Sequence, residues 1–538
     1  MAHGAPGAGE HSIARVVGVS GSRVGAVLNP GVAASAASAL QIGALLKMST
    51  PQSTVYGMVS ALSTPAPAHR RDEADAELRM LEMDLIGEAI TYPGGAHEPF
   101  QRGVTFRPAL GGAVLPTTQE DLKQVYARPT VPSVRVGTIA LDRTLPAYVA
   151  TDDLLGKHMA ILGTTGSGKS CAVAQILGAL LAEHDRGHVL LLDLHGEYAR
   201  SFGARAEVLD TESLELPYWL LNFEEMREIA AGGAGRAERE ADAAILKEAI
   251  LAAKTKSQDG AARADHLSAD TPVPYRLSDV VRQIDDALGK FDKATDSVPF
   301  LRLKERLSAL QGDTRYAFMF PGLSVRDTMG DILSRLFRVP VDGKPLTILD
   351  LSGVPSEILN VVISLLCRLT FDFAMWAERE VPVLLVCEEA QRYMGQDSTL
   401  GFEPTKRALT RIAKEGRKYG VSLCLVSQRP ADLAAEILSQ CNTVFAMRMS
   451  NRTDQAFVQA TLSDSAMGLM DALPSLRTGE AIAVGEGVSV PARICFDRLP
   501  EEARPHSGTA PFSTAWRTDI KDESFIAEIV ERWRRQGR

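Results

Sequence analysis

The octapeptide GTTGSGKS at 163–170 satisfies the pattern G-x-x-x-x-G-K-[ST] in full. It follows the apolar run HMAIL at 158–162 and precedes the apolar stretch CAVAQILGALLAEH, the strand–turn–helix setting the pattern requires. Glycines let successive backbone N–H groups converge on phosphate oxygens, and a helix N-terminus adds the positive end of its dipole. In this reading Gly163, Thr164, Thr165, Gly166, Ser167, Gly168 and Lys169 wrap a nucleoside triphosphate. Lys169 reaches its β- and γ-phosphates and the Ser170 hydroxyl ligates Mg²⁺. Cys171 and Asp193 complete the expected nucleotide-binding set. A glycine-rich turn that binds nothing is the blander alternative, and the complete match in its proper setting argues against it.

Such a loop needs an acid at the end of a neighbouring strand to hold the metal, and a second group to activate the attacking water. VPVLLVCEEAQRY supplies adjacent carboxylates: Glu388 for the metal, Glu389 as the base that polarises water. Two further runs end in polar groups, where an α/β sheet builds its site at the carboxyl edge. HVLLLDLHGEY presents Asp193, His195 and Glu197, with Asp193 as an outer ligand to metal or water. VSLCLVSQRP presents Ser427, Gln428 and Arg429, with Gln428 sensing the γ-phosphate or orienting water. Just upstream, PTKRALTRIAKEGRKYG carries Lys406, Arg407, Arg411, Lys414, Arg417 and Lys418 against the single acid Glu415. Arg407, Arg411, Lys414 and Lys418 fall on one helical face, which is usually solvated. In a triphosphate-driven machine the segment can instead supply an arginine finger to a neighbour's nucleotide, with Arg417 the best candidate, or contact DNA phosphates. The absence of an N-K-x-D guanine-reading motif favours ATP over GTP.

The elements that must position these groups follow from the texture of the chain. Up to about residue 110, short apolar clusters such as ARVVGVSGSRVGAVL, QIGALLKM and TVYGMVSAL alternate with Gly, Pro and Ser breaks, predicting a small β-barrel. The charged stretch 72–81 borders or interrupts it, and 115–133 reads as a connector. From about 134 the pattern becomes strand–helix alternation with near-continuous apolar strands, predicting an α/β domain whose parallel sheet is covered on both faces. Residues 218–337 read as a helical insertion within that domain, and the C-terminal IAEIVERWRRQGR as a packed surface helix, with a brace on a neighbouring subunit as the alternative. The expected divisions are 1–133, 134–217, 218–337, 338–498 and 499–538.

Composition narrows the classes further. With 538 residues, 45% of them apolar, and a net charge of -9, the chain is an ordinary multidomain globular protein and not a basic nucleic-acid coat. That balance leaves room for DNA held in a locally basic groove. Six scattered cysteines without a CxxC pair predict small buried hydrophobes in a reducing compartment. No secretory signal is read at the N-terminus. The uncharged stretch 24–46 is too punctuated to span a membrane, and 354–376 reads as an amphipathic core helix. A cytoplasmic protein is expected.

KHMAILGTTGSGKS, LLLDLHGEY, LLVCEEAQRY and IAKEGRKYGVSLCLVSQRP, in this order and spacing, resemble the HerA branch of the HerA/FtsK ATPases. SQCNTVFAMRMSNRTDQAFV resembles the stretch that follows in that branch, PYWLLNFEEM its helical insertion, and the N-terminal strands its HAS-barrel. The resemblance implies a RecA-like ATPase core, a homohexameric ring with nucleotide between subunits, and a channel for double-stranded DNA. It also implies a partner: a NurA-like nuclease in end processing, or a nuclease or sirtuin-like NAD-consuming effector in anti-phage defence. Lys169 and Ser170, Glu388 and Glu389, Gln428 and Arg417 match the family's functional positions. One departure is Gln391, where the family commonly carries histidine. Two alternatives remain: an ATP-gated ring that assembles an effector without processive movement, and a secretion or conjugation motor, against which the lack of membrane segments counts.

Overall fold

The computed structural model describes residues 12–29, 40–64, 79–90, 98–231, 236–257, 264–289, 294–320, 325–395, 403–461, 467–506, 512–517 and 523–535. Most of the charged stretch 72–81 and the middle of 24–46 lie outside these residues.

The N-terminal strands are β1 (Ala14–Ser20), β2 (Arg23–Leu28), β3 (Leu45–Ser49), β4 (Ser53–Ser63), β5 (Met80–Ile90), β6 (Gln101–Arg102) and β7 (Ala113–Pro116). They pair antiparallel in the order β2-β1-β7-β3-β4-β5, and β2 returns to β5 to close a six-stranded barrel with β6 appended. Alternate residues such as Val16, Val24, Met48, Val55, Leu81, Met83 and Val114 fill the interior. Register shifts at Val16/Gly18, Tyr56/Gly57 and Val59/Ala61 bend β1 and β4 as closure demands. Part of the expected connector belongs to the barrel, because β7 is the strand that bridges β1 and β3. Beyond it a helix, Gln119–Val125, opens with a Thr118–Asp121 capping box. Asp121 also accepts from Tyr56 at 3.1 Å and pairs with Lys47 at 3.0 Å, fastening the helix to the barrel.

The second sheet has eleven strands in the order β12-β13-β11-β14-β15-β10-β16-β17-β18-β8-β9. Its parallel part comprises β10 (Met159–Leu162), β11 (Val189–Asp193), β12 (Ala206–Leu209), β13 (Leu346–Asp350), β14 (Val383–Cys387), β15 (Val421–Ser427) and β16 (Thr443–Met447). The sheet departs from the all-parallel expectation beyond β16. There β17 (Glu480–Gly485), β18 (Ala492–Phe496), β8 (Ser133–Ile139) and β9 (Pro146–Ala150) continue it antiparallel. Short returns join β17 to β18 and β8 to β9, whereas β16 and β17 are separated by residues 448–479 and β8 meets β18 from far away in the chain. One face of the parallel strands buries Met159, Ile161, Val386 and Val426 against the helix Lys169–Glu183. The other buries Ala160, Leu162, Leu385 and Leu425 against the helices Ser356–Trp376 and Glu403–Tyr419. Ser356–Trp376 is long and apolar enough to cross a membrane by composition, but 67% of its apolar window is buried inside the chain, as a core helix requires.

Between β12 and β13 the chain makes the helices Phe223–Ala231, Arg236–Lys256, Leu277–Leu288, Ala294–Gly312 and Met329–Phe337. Buried charge keys this insertion to the core: Glu225 pairs with Arg368 at 3.0 Å and accepts from Ser364 at 2.9 Å. Within it, the buried Lys254 ammonium donates to the carbonyls of Ala269 and Thr271 at 2.6 and 2.7 Å. The C-terminal helix Glu523–Arg535 differs from the packed helix expected of it. Ile526 and Trp533 are 59% and 79% exposed, while Phe525 and Val530 are half-buried and Arg534 lines a cavity with Trp219 and Arg315.

Candidate active site

The phosphate loop leaves β10 at Gly163, between β15 and β16. Its backbone is anchored on both flanks: Gly163 N–H donates to Ser427 O at 3.2 Å and Thr164 N–H to Arg448 O at 3.0 Å. Arg448 and Thr478 each donate to Gly166 O at 3.2 Å. Gly166 and Gly168 hold φ of 74° and 99°, a backbone region that turns N–H groups inward and that side chains rarely adopt. Gly168 caps the helix Lys169–Glu183, so the loop ends on that helix's dipole.

Lys169 is buried, and among the described residues its ammonium donates only to Thr164 O, at 3.2 Å. Burial lowers its affinity for a proton, opposed by the charges of Glu389, Glu388 and Glu197. Ser170 donates its hydroxyl to Glu197 Oε2 at 2.8 Å. Cys171 follows at the surface, beside a cavity of about 520 Å³ walled by Gly479, Phe496, Arg498 and Arg504. Cys171 thus departs from the expectation of buried cysteines, as does the half-buried Cys495. A larger cavity of about 1080 Å³ lies at the insertion, near Trp219, Arg315 and Arg326, and contains none of the phosphate-loop or acid-pair residues.

Both acids of the pair end β14 and are buried. Glu388 accepts from Tyr198 O–H at 2.9 Å through Oε1, while Oε2 makes no hydrogen bond among the described residues. Burial holds its carboxyl well above the usual range, with Asp193, Glu197 and Glu389 adding to the effect and the Tyr198 bond opposing it. Glu389 adopts a left-handed φ of 49°, which swings its side chain away from the strand direction. Two amides clamp it: Gln391 Nε2 donates to Oε2 at 2.5 Å, and Gln428 Nε2 donates to Oε1. Gln391 in turn accepts from Ser427 Oγ at 2.7 Å, and Gln428 accepts from Thr165 Oγ1. The base candidate is thus tied to the end of β15 and to the phosphate loop.

Asp193, expected as an outer ligand to metal or water, is buried at the end of β11. Its carboxylate accepts from the backbone N–H groups of His195, Glu197 and Tyr198 at 3.2, 3.1 and 2.9 Å, so it templates the turn. His195 is exposed on that turn. Glu197 and Tyr198 are the contributors sequence reasoning left without a role, and Gln391, marked only as a departure, proves to be the bridge between Glu389 and Ser427.

Arg417 is not among the converging residues. It lies four positions before β15 begins, and the phosphate loop adjoins that strand's other end, so about 20 Å of strand separates them. Its guanidinium is exposed and makes no ion pair or hydrogen bond among the described residues. Most of the basic stripe, by contrast, is already paired. Arg407 binds Glu224 at 3.0 Å, Arg411 lies 4.0 Å above the Phe371 ring and near Asp372, and Lys414 binds Glu436. Beside Arg417 sits the buried His158, just ahead of β10. Its Nδ1 accepts from Leu423 N–H at 3.0 Å, which leaves Nε2 to donate to Ala413 O at 3.1 Å. Burial lowers its affinity for a proton, opposed by the Ala413 bond and reinforced by Arg417.

Comparison with known proteins agrees with this arrangement. The family described as "Helicase HerA, central domain" matches residues 134–370. The DNA double-strand break repair helicase HerA of Sulfurisphaera tokodaii is 30% identical over 409 residues, 73% of this chain and 74% of that protein. Its namesake from Pyrococcus furiosus is 25% identical, covering 80% of this chain and 79% of that protein. Among solved structures, VirB4 of Thermoanaerobacter pseudethanolicus is 15% identical and covers 70% of this chain and 98% of its own, with a TM-score of 0.49. With that identity to a HerA over nearly three quarters of its length, and a complete phosphate loop facing an acid pair, the chain belongs to the HerA helicase family of P-loop ATPases.

Proposed function

We propose that the protein is an ATP-driven motor on double-stranded DNA. It would work as a homohexameric ring with Mg²⁺ and pass the DNA to a partner nuclease or another defence effector. The observation that carries the reading is the separation of Arg417 from its own chain's site. A complete phosphate loop and a clamped base stand at one rim of the sheet, and an unpaired arginine stands about 20 Å away at the other. Such an arginine serves a nucleotide only across an interface with another copy. The relatives named DNA repair helicases support DNA as the track.

The donor set fits a hard divalent cation: the Ser170 hydroxyl and Glu388, whose buried Oε2 lacks a partner, are oxygen ligands beside the phosphate loop. Bound there, the metal would neutralise charge on the β- and γ-phosphate oxygens. The inward N–H groups of 163–170 hold the phosphates, and Lys169 supplies the remaining positive charge. Glu389, fixed by Gln391 and Gln428, takes the proton of the attacking water. Gln428 also touches Thr165, so it stands where the γ-phosphate end of the loop meets the base.

The test is steady-state ATP turnover with and without linear double-stranded DNA, alongside Lys169→Ala and Glu389→Gln and a mass measurement of the assembly. Strong stimulation by DNA in a hexamer supports the motor. Turnover indifferent to DNA in a ring refutes it and favours the effector-assembling scaffold.

A further inference from the structure

The turn after β11 sets both candidate metal ligands. Asp193 accepts three backbone N–H groups and so fixes residues 195–198 as a rigid bend. From that bend Glu197 receives the Ser170 hydroxyl proton, while Tyr198 donates to Glu388 Oε1. A serine hydroxyl has one proton and two lone pairs. Once the proton is committed to Glu197, the lone pairs are left for a cation. Tyr198 acts in the same way on Glu388, occupying Oε1 and leaving the buried Oε2 as the free donor atom. Glu197 is half-buried, and its Oε1 makes no hydrogen bond among the described residues.

We propose that Glu197 is a positioning residue of the magnesium site. It orients the Ser170 hydroxyl for the metal and adds a third carboxylate, beside Glu388 and Glu389, to the field that draws the cation in. The inference rests on the nucleotide reading above and assigns a role to a residue outside the loop and the acid pair. Groups that orient metal ligands in this way commonly contribute 10- to 100-fold to metal affinity.

The experiment measures binding, not turnover. A fluorescent ADP analogue is titrated into the full chain at a series of Mg²⁺ concentrations and also in chelator, for wild type, Glu197→Gln and Tyr198→Phe. Manganese bound with the nucleotide is followed in parallel by electron paramagnetic resonance. In Glu197→Gln the Mg²⁺ needed for half-maximal tightening should rise by about 10-fold or more, with nucleotide affinity in chelator and melting without ligands unchanged. Tyr198→Phe should show a smaller rise in the same direction. A Glu197→Gln titration that overlays the wild type overturns the proposal, as does an equal loss of affinity with and without metal. If the wild type itself binds no nucleotide, the nucleotide reading fails first, and that result is distinct from either.

Discussion

Replacing Gln391 by alanine removes one of the two amides that hold Glu389 and takes away the acceptor of the Ser427 hydroxyl proton, while touching no residue of the phosphate loop. A hydrogen bond to a charged group contributes about 1.5–3 kcal/mol. If that restraint is felt mainly when the carboxylate must meet the attacking water, turnover should fall about 10- to 150-fold. Nucleotide affinity should stay within about twofold of wild type, because the lost contacts act on the base and not on phosphate binding. Gln391→His, which restores the residue common in the family, should recover most of the rate, since an imidazole N–H can donate to Glu389. The assay is steady-state ATP hydrolysis paired with equilibrium binding of a fluorescent nucleotide. Wild-type turnover in Gln391→Ala would refute the clamp, and an equal loss in binding and turnover would show that the residue supports the fold instead.

Gly168→Ala places a Cβ 3.2 Å from Gly479 N at a φ of 99°, a strain of about 1–3 kcal/mol. Its melting temperature should drop, and the rise that ATP gives the wild type should vanish; a normal ATP-induced rise would contradict the cradle. Burial lowers the Lys254 ammonium from 10.5 to about 8, so the folded state disfavours its charged form. The resulting penalty is complete below about pH 8 and relieved as pH rises toward 10.5, about 3 kcal/mol over that window at about 1.4 kcal/mol per unit. The stability of wild type should therefore rise relative to Lys254→Met across that range, and parallel pH profiles of denaturation would sink the assignment. Arg417→Ala should abolish turnover, and mixing it with Glu389→Gln subunits should restore a fraction through interfaces intact on both sides. Failure to complement would move the finger to another residue.

Most of the sheet's parallel half was legible because buried strands read as continuous apolar runs, VLLLD and VLLVC among them, whereas the short edge strand β12 (AEVL) was not. The antiparallel half was not: EAIAVG and ARICF mix small, polar and apolar residues, and only pairing with β16 and β8 makes strands of them. The phosphate loop and acid pair were readable because their spacing is local. The partners of Glu389 and Ser170 were not, since Gln391, Ser427, Gln428 and Glu197 meet only when three strand ends lie side by side. The stripe ending at Lys418 was legible only in part, for a related reason. Helical spacing shows which charges share a face, but not that Glu224, Asp372 and Glu436 arrive from elsewhere to neutralise them.

In the ring proposed above, His158 would bear on how neighbouring sites keep time. Its imidazole joins the carbonyl of Ala413, one turn before Arg417, to Leu423 in β15 and stands at the head of β10. Those two strands run side by side and finish in the phosphate loop and in Gln428. An arginine pulled toward a neighbour's nucleotide would tug on a pair of hydrogen-bonded rods whose far ends hold this subunit's own chemistry. Rods do not dissipate displacement as loops do. Each subunit would therefore register its neighbour's cycle before completing its own, favouring sequential firing over independent, random firing.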